Sequence, residues 1–100
     1  MLIDEGLAVA LATDLNPGGG FTTSMPFVMS LACFGMNMTL EEALIAATLN
    51  AAASIDRAGT VGSLEAGKQL DAVVINGALA DLIRVGAPVF RQVVKRGRIV

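Results

Sequence analysis

The sequence predicts an α/β fold in which a buried strand presents an acidic residue to a glycine-rich loop. An apolar run over Leu7–Thr13 ends at Asp14, and the loop that follows contains three consecutive glycines. Helix-type periodicity then continues to about residue 56, and short β-type runs replace it from Gly59 onward. In barrel enzymes the catalytic groups lie in the loops that follow the strands, so this loop is the candidate site.

The first half is predicted to contain the strand, the loop over residues 14–25 and two helices. A short, continuously apolar run such as Leu7–Thr13 is typical of a strand that is buried on both faces, as in parallel sheets. A proline at a first helical position favours a helix over Pro26–Met36. The Thr39-Leu40-Glu41-Glu42 segment matches a capping box, which predicts a second helix from about Leu40 to Ile55.

The second half is predicted to form short strands. Its elements are a strand over Asp71–Ile75, a short helix over Leu79–Val85, and two strands, Phe90–Lys95 and Arg98–Val100, around Gly97. The charge balance also changes near residues 57–62, because residues 1–56 contain six acidic residues and no Lys or Arg. We therefore place a domain boundary there, between residues 1–58 and residues 59–100.

The composition restricts the possible partners. The chain is 54% hydrophobic and 16% charged, which is unusually apolar for a domain that must expose much of its surface. We expect part of that surface to be covered by another chain or by further copies. The net charge of −2 and the absence of Trp and Tyr argue against nucleic-acid binding.

Neither membrane insertion nor disulfide bonding is predicted. The apolar stretch from Met25 to Leu49 is interrupted by Pro26 and by acidic residues before it reaches the roughly 20 apolar residues that spanning requires. Cys33 is the single cysteine, which fits a reducing, cytoplasmic location. In an apolar helical stretch it is expected to be a buried, inert thiol.

Asp14 has two possible roles on spacing alone. A carboxylate fixed at a strand end beside an open loop suits metal binding or acid–base chemistry. The alternative is an Asx-turn, in which Asp14 only caps the backbone of the loop. Spacing by itself favours the capping role, because isolated motif matches are often accidental.

A second motif resembles a phosphate-binding loop. Residues Gly62–Gln69 match most of that pattern, but Gln69 stands where Ser or Thr would hold magnesium. The segment after Lys68 is also predicted to be a strand rather than a helix. We therefore expect a structural turn here.

Three segments together resemble one family. They are ALATDLNPG (10–18) with TTS (22–24), TLEEAL (39–44) with TLNAA (48–52), and GTVGSLEAGK (59–68) with residues 71–72. With these segments the chain resembles the carboxyl-terminal portion of the metal-dependent amidohydrolases. It is most similar to the imidazolonepropionase family of histidine degradation, to which the Asp-x-Asn-Pro-Gly segment points.

The resemblance implies a fold and a site. The fold would be the last strand and following helices of a (β/α)₈ barrel, with residues from about 60 onward returning to a small β-sandwich. Asp14 would be the catalytic aspartate and a ligand of a zinc or iron ion. Asn16, Gly18 and Gly19 would contact the substrate. The family hydrolyses a ring C–N bond of 4-imidazolone-5-propanoate to give N-formimidoyl-glutamate.

Two departures from the family affect the expected activity. Gly19 replaces the Ser or Thr that is usual at its position, which leaves the substrate open. The chain contains no His, and one carboxylate cannot complete a zinc site of three or four ligands. We therefore expect this chain alone to be inactive, to bind no metal, and to associate either with copies of itself or with the rest of a barrel.

Two alternatives remain open at this point. The complete protein could be another amidohydrolase, such as a nucleobase-type deaminase. The chain could also be a stand-alone remnant that serves as a binding or scaffold module.

Overall fold

The computed structural model describes residues 2–84, 86 and 88–100, which form helices in the first half and a small antiparallel sheet in the second. The helices are α1 (Met25–Gly35), α2 (Leu40–Ala47), α3 (Leu49–Ser54) and a 3₁₀ helix (Leu79–Ile83). The strands are β1 (Ala72–Ile75), β2 (Phe90–Lys95) and β3 (Arg98–Ile99), in the order β1-β2-β3. The mixed α and β content agrees with the predicted class, and the barrel origin of the first half stays a prediction.

The start of each long helix is fixed by a side-chain cap. The Ser24 hydroxyl accepts the Phe27 N–H at 3.3 Å, so α1 begins at Met25, one residue before the predicted start. The capping box of α2 is confirmed. The Glu42 N–H donates to the Thr39 hydroxyl at 3.1 Å, and the Thr39 N–H donates to the Glu42 carboxylate at 2.8 Å.

The prediction of one continuous helix from Leu40 to Ile55 is wrong. The helix is interrupted at Thr48, where φ is −121° and ψ is −86°, and α3 starts at the next residue. The Thr48 hydroxyl donates to the Leu44 carbonyl at 2.7 Å. A hydroxyl that bonds back to the preceding turn competes with the helix backbone and bends it.

The predicted strand over Leu7–Thr13 is not formed, and the segment is irregular. A strand requires a neighbour, and the three strands in the described ranges pair only with one another. The segment is instead attached to the helices, because the Leu11 N–H donates to the Ala46 carbonyl at 2.9 Å. The Asn50 side-chain amide donates to the Val9 carbonyl at the same distance. Leu7 is 56% exposed, so the expected burial on both faces is also wrong here.

The strands of the second half are confirmed, with one correction between them. The β1 strand pairs antiparallel with β2, which pairs antiparallel with β3. The predicted helix over Leu79–Val85 is a 3₁₀ helix that ends at Ile83, and Val85 lies outside the described residues. A 3₁₀ helix suits such a short connection because it closes a turn within three residues.

The Gly62–Gln69 segment is a structural turn, as expected. The Lys68 ammonium lies 2.9 Å from the Glu65 carboxylate and 2.7 Å from the Ser63 hydroxyl, so the segment itself neutralises it. Gly62 has a φ of +97°, and a Cβ there would lie 2.7 Å from the Ala52 Cβ. This close approach explains the glycine by packing of the turn against α3.

The core is small and is built largely from alanine and methionine. Its buried members come from α1, α2, the connection between them and the 3₁₀ helix, and are Met29, Ala32, Met38, Ala43, Ala46 and Leu82. The buried Ser30 hydroxyl lies 2.8 Å from the Ile83 carbonyl and helps to hold the 3₁₀ helix against α1. No helix in the described ranges has the length and apolar character needed to cross a membrane.

One carboxylate joins the start of β1 to the turn between β2 and β3. Asp71 accepts the Lys95 ammonium at 2.7 Å and the Arg96 N–H at 2.9 Å. The hydrogen bond from Lys95, followed by that from the Arg96 backbone, lowers the pKa of Asp71 to about 2. The Asp71 side chain is 23% exposed and that of Lys95 is 58% exposed, so this contact lies at the surface of the sheet and is held by the additional hydrogen bond from the Arg96 backbone.

We expect the isolated chain to self-associate, because large apolar side chains remain exposed. Phe34 at the end of α1 is 77% exposed and Ile55 after α3 is 70% exposed. Light scattering at micromolar concentration should give a mass above that of a monomer. Changing both Phe34 and Ile55 to Lys should lower that mass, whereas Ala53→Lys, which adds charge at a small exposed residue, should leave it unchanged. A stable wild-type particle of monomer mass would contradict this prediction.

We expect the Asp71 contact to give acid-sensitive stability. Since folding lowers this pKa, the stabilisation is fully present above about pH 4 and is lost as the pH falls towards 2. Lys95→Met should raise the Asp71 pKa towards its ordinary value, and Lys68→Met, which removes a different ion pair, should not. The measurement is an NMR titration of aspartate-labelled protein, assigned with Asp71→Asn. A wild-type midpoint near pH 4 would rule the effect out.

Candidate active site

The four residues predicted from the sequence to form a site lie together. Asp14, Asn16, Gly18 and Gly19 all line one open depression of about 560 Å³, within the range of ligand sites. The loop after Asp14 forms one side of this depression and the first turns of α1 form the other. The structure thus brings the predicted residues to one concave surface.

Asp14 occupies an uncommon backbone conformation. Its φ is +49°, in the left-handed region that residues other than glycine enter rarely, although aspartate is among the most tolerant. Its side chain is exposed, and the carboxylate makes no hydrogen bond to any described residue. The interpretation of Asp14 as a side-chain cap of the loop is therefore wrong, and no described residue donates a hydrogen bond to its carboxylate at the depression that Asp14 lines.

Asn16 provides the cap that spacing alone assigned to Asp14. Its side-chain amide donates to the Asp14 carbonyl at 2.5 Å, and its side-chain oxygen accepts the Gly18 N–H at 2.8 Å. Its own backbone N–H donates to the Gly20 carbonyl at 3.1 Å. A carboxamide has two N–H donors and two lone pairs, so one of each remains for a ligand.

The three glycines of the loop are not equivalent. A Cβ on Gly20 would lie 1.7 Å from the Asp14 carbonyl oxygen, so only glycine lets the loop close on itself there. A Cβ on Gly18 would lie 3.1 Å from the Asn16 side-chain oxygen. Gly19 has nothing within 4 Å of the corresponding position. Closure of the loop therefore explains Gly20, whereas Gly19 leaves the depression wider than a side chain would.

The helical wall of the depression was not predicted from the sequence. Phe27, Val28 and Leu31 of α1 line it, and the Phe21 ring meets the Phe27 ring edge-on, with centroids 5.9 Å apart. The spacing of four between Phe27 and Leu31 places both on one helix face. That spacing indicates an apolar face of the helix. The spacing alone does not show whether such a face lines a depression beside the loop or packs in the core.

The residues that line the depression provide one candidate ligand for a metal ion. Among the described residues, no three His, Cys, Asp or Glu side chains are close enough to hold a metal ion. Asp14 supplies one unengaged carboxylate, which suits one ligand of a larger set. Cys33 is half-buried and lies outside the depression, and burial raises the pKa of its thiol, with a smaller contribution from Glu41. It is therefore suited neither to ligation nor to attack.

Comparison with known proteins gives consistent matches. The profile described as "Amidohydrolase family" matches residues 1–100. An imidazolonepropionase of Geobacillus thermodenitrificans (strain NG80-2) is 50% identical over 101 residues, which cover 99% of this chain and 24% of the relative. An imidazolonepropionase of Clostridium tetani (strain Massachusetts / E88) is 45% identical over 102 residues, covering 100% of this chain and 24% of the relative. The chain thus spans about a quarter of the length of these curated relatives.

A third relative is matched over a shorter stretch. An imidazolonepropionase of Bacteroides fragilis (strain YCH46) is 55% identical over 75 residues, which cover 75% of this chain and 18% of the relative. The similarity to imidazolonepropionases that the three sequence segments indicated is confirmed by these matches.

We expect Gly20→Ala to destabilise the loop and Gly19→Ala to leave it intact. The added methyl group at Gly20 would overlap the Asp14 carbonyl, and the shifts that relieve such overlap typically cost about 1–3 kcal/mol. At Gly19 the space is open, so the melting temperature should stay the same or rise slightly. Thermal unfolding of both variants under identical conditions is the measurement. Equal melting temperatures would show that the loop does not close on Gly20.

Proposed function

The chain belongs to the amidohydrolase family, and on that premise we propose that it forms the carboxyl-terminal part of an imidazolonepropionase-type hydrolase. The proposed reaction is hydrolysis of a ring C–N bond of 4-imidazolone-5-propanoate to give N-formimidoyl-glutamate. The observation on which the proposal depends is the unengaged Asp14 carboxylate at a depression that Asn16, Gly18 and Gly19 also line. The identity of about 50% to proteins named imidazolonepropionase supports the choice of substrate.

Asp14 is proposed to act both as a ligand and as a proton carrier. A bound zinc or iron ion would lower the pKa of a water molecule and polarise the scissile carbonyl. An Asp14 oxygen would accept the proton of the attacking water and later donate it to the leaving ring nitrogen. The open carboxylate suits this role because no protein donor competes for its lone pairs in the described part of the chain.

The loop is proposed to bind the polar edge of the substrate. Asn16 retains one amide hydrogen and one lone pair that the loop does not use, and the backbone at Gly18 and Gly19 borders the same depression. The apolar wall of Phe27, Val28 and Leu31 would exclude water from the opposite side. The substrate in this proposal is a small cyclic molecule.

A second candidate function follows from Gly19. This residue offers no hydroxyl and leaves open space, which also suits a different ring, such as the substrate of a nucleobase-type deaminase. Assays of the complete protein with imidazolonepropanoate and with cytosine and guanine would separate the two functions. Release of ammonia from a nucleobase, without opening of the imidazolone ring, would favour the deaminase.

The chain alone is proposed to be inactive and to act only within a larger assembly. It supplies one candidate metal ligand, and its apolar surface suits contact with the rest of a barrel or with further copies. A reducing, cytoplasmic setting is part of the proposal, since the only cysteine is unpaired.

We expect Asp14→Asn in the complete protein to lower kcat by about 10²–10⁴-fold, the usual loss when a general base is removed. KM should change little, because the amide keeps the size and one oxygen of the carboxylate. The matched control is Asp56→Asn. Asp56 is also exposed and also has a left-handed φ, of 58°, but it lies after α3 and away from the depression. Steady-state ring-opening assays of the three proteins are the measurement. Near-normal kcat in the Asp14 variant would refute the role of Asp14.

A further inference from the structure

Asn16 fixes the peptide that follows Asp14. Its side-chain amide holds the Asp14 carbonyl at 2.5 Å, and the same side chain holds the Gly18 N–H at 2.8 Å. The Asn16 side chain therefore links a backbone group two residues before it to a backbone group two residues after it. Because the Asp14 carbonyl lies in the peptide plane after Asp14, holding that oxygen restricts the ψ angle of Asp14.

The carboxylate of Asp14 depends on this backbone restraint. No hydrogen bond from a described residue reaches its oxygens, so the backbone is what fixes the direction of its Cα–Cβ bond and hence the space in which the carboxylate moves. That backbone has a φ of +49°. A residue other than glycine stays in such a region only when its surroundings hold it there.

We propose that Asn16 is a positioning residue that acts on the reaction through Asp14, in addition to any contact with substrate. This inference rests on the proposed function, in which Asp14 transfers the proton. The geometry points to Asn16 because its amide is the side-chain group that holds the Asp14 carbonyl, while Gly20 leaves room for the contact.

The chemistry explains why positioning matters at this carboxylate. Proton transfer requires the acid–base group to lie about 2.6–3.2 Å from its partner. A misplacement of about 1 Å can cost about 10²-fold in rate. Loss of the Asn16 restraint should therefore lower kcat, whereas loss of a substrate contact should raise KM.

The test is a double-mutant cycle in the complete protein with Asn16→Ala, Asp14→Asn and the combination of both. If Asn16 acts through Asp14, Asn16→Ala should lower kcat by about 10–100-fold in the wild-type background. In the Asp14→Asn background it should cause almost no further loss of kcat. Any increase in KM caused by a lost substrate contact should persist in both backgrounds.

Asn50→Ala is the matched control. The Asn50 amide also donates to a backbone carbonyl of the segment before the loop, that of Val9 at 2.9 Å. It does not touch Asp14, and the Leu11 N–H still holds the segment to the Ala46 carbonyl in this variant, so kcat should stay within about twofold of wild type. If Asn50→Ala lowered kcat as much as Asn16→Ala, a general loosening of the segment would explain both, and the proposal would be overturned.

Two further kinds of result, one kinetic and one structural, would overturn it. The first is an Asn16→Ala variant whose kcat falls equally in both backgrounds, or whose KM alone changes. The second does not depend on activity, and is a crystal structure of Asn16→Ala in which Asp14 keeps its left-handed conformation and its carboxylate position. A wild-type protein that fails to open the ring, while the variant structure shows a displaced Asp14, would refute the proposed function and support the positioning role.

Discussion

The placement of the candidate site depends on the break in the helix at Thr48. In a continuous helix the Ala46 carbonyl would accept the N–H of the residue four positions later. Because α2 ends at Ala47, that carbonyl is free to accept the Leu11 N–H. The start of α3 brings Asn50 to the Val9 carbonyl. The segment that ends at Asp14 is thus held by two hydrogen bonds to the helices, with no neighbouring strand in the described part of the chain.

The same segment explains why an apolar sequence leaves so much apolar surface exposed. Its side chains suit burial on both faces, yet the described residues provide only the helical side. Exposed phenylalanine and isoleucine side chains on α1 and after α3 show the same imbalance. Since hydrophobic burial scales with the area removed from water, a partner that covers these faces would stabilise both the helices and the segment that leads to the loop.

Local rules in the sequence predicted the elements whose structure depends on neighbouring residues. The Thr39 and Glu42 capping box and the hairpin around Gly97 need only a few adjacent residues, and both are found. The strand over Leu7–Thr13 needs a partner distant in sequence, so its pattern alone could not determine its structure. The break at Thr48 depends on one hydroxyl that competes with the helix, which an alanine-rich helical pattern does not reveal.

The sequence predicted where the candidate site lies, but not which residue caps the loop and which residue the loop presents. Spacing indicated that Asp14 and its glycine-rich loop belong together, and resemblance added Asn16, Gly18 and Gly19. Spacing could not distinguish a carboxylate that caps the loop from one that the loop presents, because both patterns contain an acidic residue before a turn. The three-dimensional contacts separate these roles, since the Asn16 amide holds the backbone. A loop that satisfies its own backbone through Asn16 leaves the side-chain oxygens of Asp14 without a hydrogen bond from the described residues.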